Sequence, residues 1–256
     1  MFREKLLPTL VATVAALSFS AHASLISNGS FEQTPGSADC LAQYTHAPYA
    51  SCDAEVIRTA DGNSGGWGVF NQLPGWNLLY GNGIEIQGQN AVGGGFAPAH
   101  GDFYVDLDSH FEVANPTGSN AGIYQQLNGL AIGQWYELTF AYGIRTNNEN
   151  ENGLNVFWGE DEASLADSIV LSMIEQSEDA QWFSVSYMLQ ATSDTMFIGF
   201  GAFGDYVRQL DNGNWTSDGS GRGAMLDNVS LVAVPAPATL GLFGLALAGL
   251  LLGRRR

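Results

Sequence analysis

Between Ser24 and Ala233 the chain has no lysine, and its basic side chains there are Arg58, Arg145, Arg208 and Arg222. Of the 26 acidic residues all but Glu4 fall in the same stretch, which leaves a net charge near −21. Such a surface excludes nucleic acid as a partner, because that affinity comes from lysine and arginine against phosphate. It also disfavours anionic lipid, and it suits divalent cations. Cysteine is scarce: Cys40 and Cys52 are the whole complement. Two thiols cannot build a four-thiolate zinc site. His46, His100 and His110 have no zinc-type spacing. A Gly-x-Ser-x-Gly elbow is missing, as is a glycine-rich phosphate loop between a strand and a helix. With that many carboxylates, chance alone brings some pair to glycosidase spacing. The expectation is therefore a protein that is not an enzyme.

What is present begins at the two ends. Arg3 and Lys5 precede the apolar stretch Leu10 to Phe19, and Ala21-His22-Ala23 is a small-x-small cleavage site. Residues 1–23 read as a secretory signal peptide with an N-terminal signal helix, so Ser24 begins the mature chain. Residues 234–256 start with a stiff Pro235-Ala236-Pro237 joint and end in Arg254, Arg255 and Arg256. Between them Ala238–Leu252 is 15 residues without a charge, an apolar anchor helix of roughly 22 Å. That is short of a ~30 Å hydrocarbon core, and the arginines would hold its end on the cytoplasmic side. The order of joint, short span and basic cluster resembles the PEP-CTERM sorting signal of Gram-negative bacteria, which an exosortase recognises. The family's central glutamate is Ala236 here. The resemblance implies an exosortase-type partner and a chain that is exported. It would be held transiently in the inner membrane by its C-terminal helix, and then sit in the outer envelope or the extracellular matrix. An ordinary membrane anchor is the plainer alternative.

In this exported setting Cys40 and Cys52 read as a disulfide closing a 13-residue loop, worth about 3 kcal/mol. Residues 24–233 amount to one domain. Short runs rich in aromatic and β-branched residues alternate with Gly, Asn, Asp and Pro, and no long amphipathic helix stands out. Eleven strands are expected: 67–70, 76–80, 84–87, 103–108, 122–127, 135–144, 155–158, 169–174, 182–190, 196–200 and 224–232. In Tyr136, Leu138, Phe140, Tyr142 and in Phe183, Val185, Tyr187, Leu189 one face is apolar and the other wetter, the mark of antiparallel sheets. The fold class is all-β, an antiparallel β-sandwich. Segments 35–65, 87–101, 146–153 and 205–223 read as loops.

Several blocks share one family pattern. Leu25-Ile26-Ser27-Asn28-Gly29-Ser30-Phe31-Glu32 opens it, Leu73-Pro74-Gly75-Trp76 follows, then His100-Gly101-Asp102-Phe103 and Gly133-Gln134-Trp135-Tyr136, and Met225-Leu226-Asp227-Asn228-Val229 closes it. Together they resemble galactose-binding-like jelly rolls, the type found in carbohydrate-binding modules. The resemblance implies a jelly roll and an extracellular polysaccharide as ligand. It also implies a structural Ca²⁺ between first and last strands, with Glu32 and Asp227 as ligands and backbone carbonyls completing the shell. The alternatives are a turn cap at Asp227 and an arginine partner for Glu32. Asp102, Asp106 and Asp108 alternate along one strand, and a solvated acidic face is expected there.

Sugar sites pair an aromatic face with a few polar groups. Trp76 and Trp158 sit in apolar contexts and read as core. Trp215, in a polar loop, is the candidate platform, and Arg145 at a strand end is a candidate polar contact whose simpler role is a salt bridge. The leading expectation is an exported, non-catalytic polysaccharide binder. A structural or adhesive surface protein working through protein contacts, with no glycan ligand, is the alternative.

Overall fold

Tyr136, Leu138, Phe140 and Tyr142 are buried, as are Ile198, Phe200 and Ala202 on a strand of the facing sheet, and the core lies between these two apolar faces. The computed structural model describes residues 23–41, 51–59, 66–89, 91, 96–109, 119–145, 147, 151–204, 208–209, 215–216 and 223–235. The strands are β1 (Trp67–Phe70), β2 (Gln72–Leu73), β3 (Trp76–Tyr80), β4 (Ile84–Gly88), β5 (Phe103–Asp106), β6 (Gly122–Asn128) and β7 (Trp135–Ile144). They continue as β8 (Gly153–Gly159), β9 (Ile169–Met173), β10 (Gln181–Gln190), β11 (Thr195–Phe203), β12 (Arg208–Gln209), β13 (Trp215–Thr216) and β14 (Met225–Ala233). One six-stranded sheet has the order β1-β4-β5-β14-β7-β10 and the other β2-β3-β6-β11-β8-β9; every pairing is antiparallel. Strands adjacent in space are mostly distant in sequence, so the last strand β14 lies mid-sheet between β5 and β7.

Each of the eleven expected strands has a counterpart, shifted by a few residues at its ends. Asp108 falls outside β5 and makes an isolated bridge to Asn120 instead. Two segments expected as loops carry structure. A short helix, α1 (Ala54–Thr59), starts where Asp53 Oδ1 accepts from the Glu55 N–H, and it buries Ile57 alone. Six residues with one buried side chain leave no helical period to read. Segment 205–223 contains the β12–β13 hairpin, which places Trp215 opposite Gln209 in a strand rather than in a loop. Among the described residues no helix is long and apolar enough to cross a membrane. The expected signal helix and anchor helix, with Pro237, Arg254, Arg255 and Arg256, lie outside the described residues; Pro235 is the last one inside.

The family blocks are joined by Asn28. Its side chain donates to the carbonyls of Gln33 and Pro74 (both 2.9 Å) and accepts from the Gln33 N–H, while its carbonyl accepts from Trp76 Nε1 at 3.1 Å. Gly29 accepts from Val229 across the last strand, and a Cβ there would fall 1.9 Å from the Val229 carbonyl oxygen. Any side chain at 29 would push the opening segment off β14. Phe31 is fully buried against Trp76, with ring centroids 5.7 Å apart. Burying each such ring contributes about 1.5–3 kcal/mol.

Candidate functional site

Three places gather polar chemistry. In the first, Glu32 and Asp227 meet around the segment His100–Phe103. Glu32 Oε1 accepts from the N–H groups of Asp102 (2.9 Å) and Phe103 (3.1 Å). Asp227 Oδ2 accepts from the His100 N–H at 2.7 Å, and Oδ1 from the Asn228 N–H at 2.6 Å. Asp227 is completely buried. Burial pushes its carboxyl up to about 7 despite those donors, and the nearby Glu32 charge adds to the rise. Among the described residues neither carboxylate is in an ion pair, so the arginine partner weighed for Glu32 is not found. Carboxylate oxygens are the ligand type a hard divalent ion takes, but those of Glu32 and Asp227 that face this segment already accept from backbone N–H groups. Among the described residues no three acidic, histidine or cysteine side chains form a metal-binding group. Backbone carbonyls would have to supply the remaining oxygens.

The second place is the outer face of the β1–β10 sheet. Gln87 Nε2 donates to Glu85 Oε1 (2.6 Å) and Asp106 Oδ2 (2.9 Å), and Tyr104 Oη donates to Gln87 Oε1 (2.7 Å). Arg145 Nη1 reaches Asp106 Oδ2 at 3.3 Å. Glu85, Gln87, Tyr104, Asp106 and Asp108 are all buried, so the solvated acidic face expected for Asp106 and Asp108 is not formed; only Asp102 is exposed. Burial raises the Asp106 carboxyl well above its usual range, against the pull of Arg145. Over the network Phe96 stacks on Trp182 with centroids 5.2 Å apart, and Trp182 Nε1 donates to the Ala97 carbonyl. Gly143 leaves room beneath the Trp182 ring, where a Cβ would fall 2.6 Å from it. Arg145 thus pairs with a buried carboxylate, the simpler role weighed for it. The side chain of Trp215 lies outside what the structure describes.

The third place was not anticipated. A pocket of about 620 Å³ opens beside β2, β3 and β6, lined by Asp39, Gln72, Asn77, Gln126 and Asn128 together with Ser27, Pro35 and Pro74. Asn77, Gln126 and Asn128 project from the outer face of their sheet, whereas Trp76 beside them is only 1% exposed and offers no stacking surface. Gln72 Nε2 donates to Asp39 Oδ1, and Gln126 Nε2 to Asn128 Oδ1, both at 3.1 Å. One wall is the turn Ser37–Asp39. It is held by the Asn71 N–H on the Asp39 carbonyl (2.9 Å) and by the Cys40–Cys52 disulfide. The buried Gln125 pins Ser27 and Gly75 behind it. The signal was available: the amides at 126 and 128 alternate as exposed positions on a strand whose other residues are buried. A search for aromatic platforms passes over them.

Residues 233–256 match the PEP-CTERM protein-sorting motif, which marks an exported protein for sorting by an exosortase. Among curated proteins none matches the sequence. Solved structures similar in fold include an adhesin domain of Lys-gingipain from Porphyromonas gingivalis W83, at 15% identity and a TM-score of 0.42, covering 63% of this chain and 92% of that one. A CBM4 structure aligns at 11% identity and a TM-score of 0.35, covering 82% and 99%. A family 35 carbohydrate-binding module from Clostridium thermocellum aligns at 15% and 0.30, covering 52% and 80%. At these scores the likenesses say nothing about a ligand.

Proposed function

We propose that this is an exported, non-catalytic polysaccharide-binding protein, held transiently in the inner membrane by its C-terminal tail and handed by an exosortase to the envelope or matrix. The observation that carries the glycan reading is the amide-lined pocket. Asn, Gln and Asp side chains offer paired donors and acceptors that match vicinal hydroxyls, and the pocket is wide enough for one to a few sugar units. Without an exposed ring to stack on, binding rests on hydrogen bonds, many of them exchanged for water, so each contact contributes about 0.5–1.5 kcal/mol. Asp39 is the one carboxylate among the described lining residues, while glycoside hydrolysis ordinarily employs two. A Ca²⁺ held by Glu32 and Asp227 would act structurally, tying the opening segment and β14 to the His100–Phe103 segment.

The test is retention of residues 24–235 on a panel of immobilised polysaccharides, alongside an Asn77→Ala/Gln126→Ala double variant. Binding of at least one glycan, weakened at least about tenfold in the variant at unchanged melting temperature, is the expected result; two lost hydrogen bonds account for that factor. Absence of retention on every glycan would favour the structural or adhesive reading.

A further inference from the structure

The large apolar side chains exposed among the described residues are seven: Leu25, Val56, Ile132, Trp135, Ile169, Ile174 and Met188. Four of them surround the point where the chain leaves the fold. Val234 donates its N–H to the Trp135 carbonyl at 2.9 Å, and its own carbonyl accepts from Gln134. Trp135 is 47% exposed, and Ile132, in the turn before it, is 71% exposed. Met188 sits one strand over on the same outer face, diagonal to Trp135, which pairs with Gln190. Leu25 donates to the Leu231 carbonyl two residues before β14 ends.

Two carboxylates lie at this corner, on a domain with 25 of them: Asp194, and Glu137, which stands opposite Met188 and accepts from the Ser186 hydroxyl at 2.8 Å. Glu160, Asp161 and Glu162 follow β8, in the opposite sheet.

The chain outside the structure sets how far this corner can be from the apolar run. Pro235 to Ala238 is three residue steps, at most ~11 Å when fully extended. The apolar run is itself about 8 Å shorter than the hydrocarbon core, and a short span draws its flanks inward. Tryptophan favours the headgroup level of a bilayer.

We propose that the corner formed by Leu25, Ile132, Trp135 and Met188 is a membrane-interface contact, seated in the headgroup region of a neutral bilayer while the tail is inserted. It rests on reading residues 238–252 as a membrane segment. Trp135 and Ile132 anchor the domain upright, holding the tail joint at the bilayer surface where a membrane-embedded processing enzyme would reach it.

The experiment uses the full chain reconstituted in phosphatidylcholine vesicles, with a nitroxide on Ile132→Cys or, as reference, on Ile174→Cys at the opposite end of the sandwich. Both positions are exposed, and the native cysteines are bonded to each other. The expected result is co-flotation with vesicles, with the label at 132 accessible to oxygen and showing several-fold less access to a water-soluble nickel complex than the label at 174. A second Trp135→Ser substitution should restore part of that access. Equal access at both sites in floating protein would overturn the contact and leave the tail reading intact. Failure to float would overturn both. Spin–spin broadening at 132 in dilute vesicles would assign the corner to a second copy of the chain instead.

Discussion

Arg145 Nη1 lies 3.3 Å from Asp106 Oδ2, and the carboxylate it meets has no exposed surface. Removing one partner of a buried pair costs about 3–5 kcal/mol, because the other charge is left without water. Asp106→Ala should therefore destabilise, since a guanidinium cannot shed its charge. Arg145→Met should differ. It leaves Asp106 and Glu85, which can take up a proton, so the loss should be smaller at pH 5 than at pH 8. Denaturant unfolding of both variants at the two pH values checks this contrast.

Asp227 gives a second pH dependence. Its carboxyl is raised from 3.8 to about 7 in the fold, so between those values the folded state holds a proton that the unfolded chain releases. Without metal, stability should fall as pH rises from about 4 to 7, by on the order of 4 kcal/mol at most. Asp227→Asn should flatten that slope. Millimolar Ca²⁺ should raise the melting temperature of the wild type at pH 8 and have no effect on Glu32→Gln/Asp227→Asn. An identical melting curve for the wild type with Ca²⁺ and with chelator would remove Ca²⁺ from the account.

The disulfide links stability to the pocket. Cys40 sits directly after the Ser37–Asp39 turn, so opening the bond frees the wall that carries Asp39. Cys40→Ser/Cys52→Ser should lose about 3 kcal/mol of stability. Glycan affinity should fall further than this stability loss explains at temperatures where the variant is still folded, as isothermal titration would reveal.

Gly143→Ala tests the packing over the buried network. A Cβ at 143 would lie 2.6 and 2.8 Å from two atoms of the Trp182 ring and 3.0 Å from the Met225 Cβ. The ring is held by Phe96 and by its bond to the Ala97 carbonyl, so it has little room to yield. About 1–3 kcal/mol of destabilisation is expected, with an altered near-ultraviolet circular dichroism signal from the displaced indole.

Much of the sandwich was legible because its signal is local. Tyr136, Leu138, Phe140 and Tyr142 declare a strand with one buried face, and they are buried. Trp76 and Trp158 announced themselves as core by their neighbours. The carboxylates Glu32 and Asp227 were paired through a family likeness, and the fold does bring both onto His100–Phe103. Asp106 was misread, since alternation says that side chains share a face but not whether another segment covers that face. Here the stretch around Phe96 does. The pocket was missed for a related reason: Asp39, Gln72, Asn77 and Gln126 come from four separate stretches, each an ordinary polar surface position by itself.

By itself, then, the sequence determined what depends on neighbours along the chain. That comprises the tripartite tail, the β-strand periods, the lysine-free acidic composition and a cysteine pair suited to a disulfide. Only the tertiary structure decided which outward faces stay wet, which carboxylates are buried with Arg145, and which amides converge on one pocket. These depend on strands such as β14, which arrives last in the chain and pairs mid-sheet. Burial and convergence are set by contacts between stretches tens of residues apart, and no local pattern encodes them.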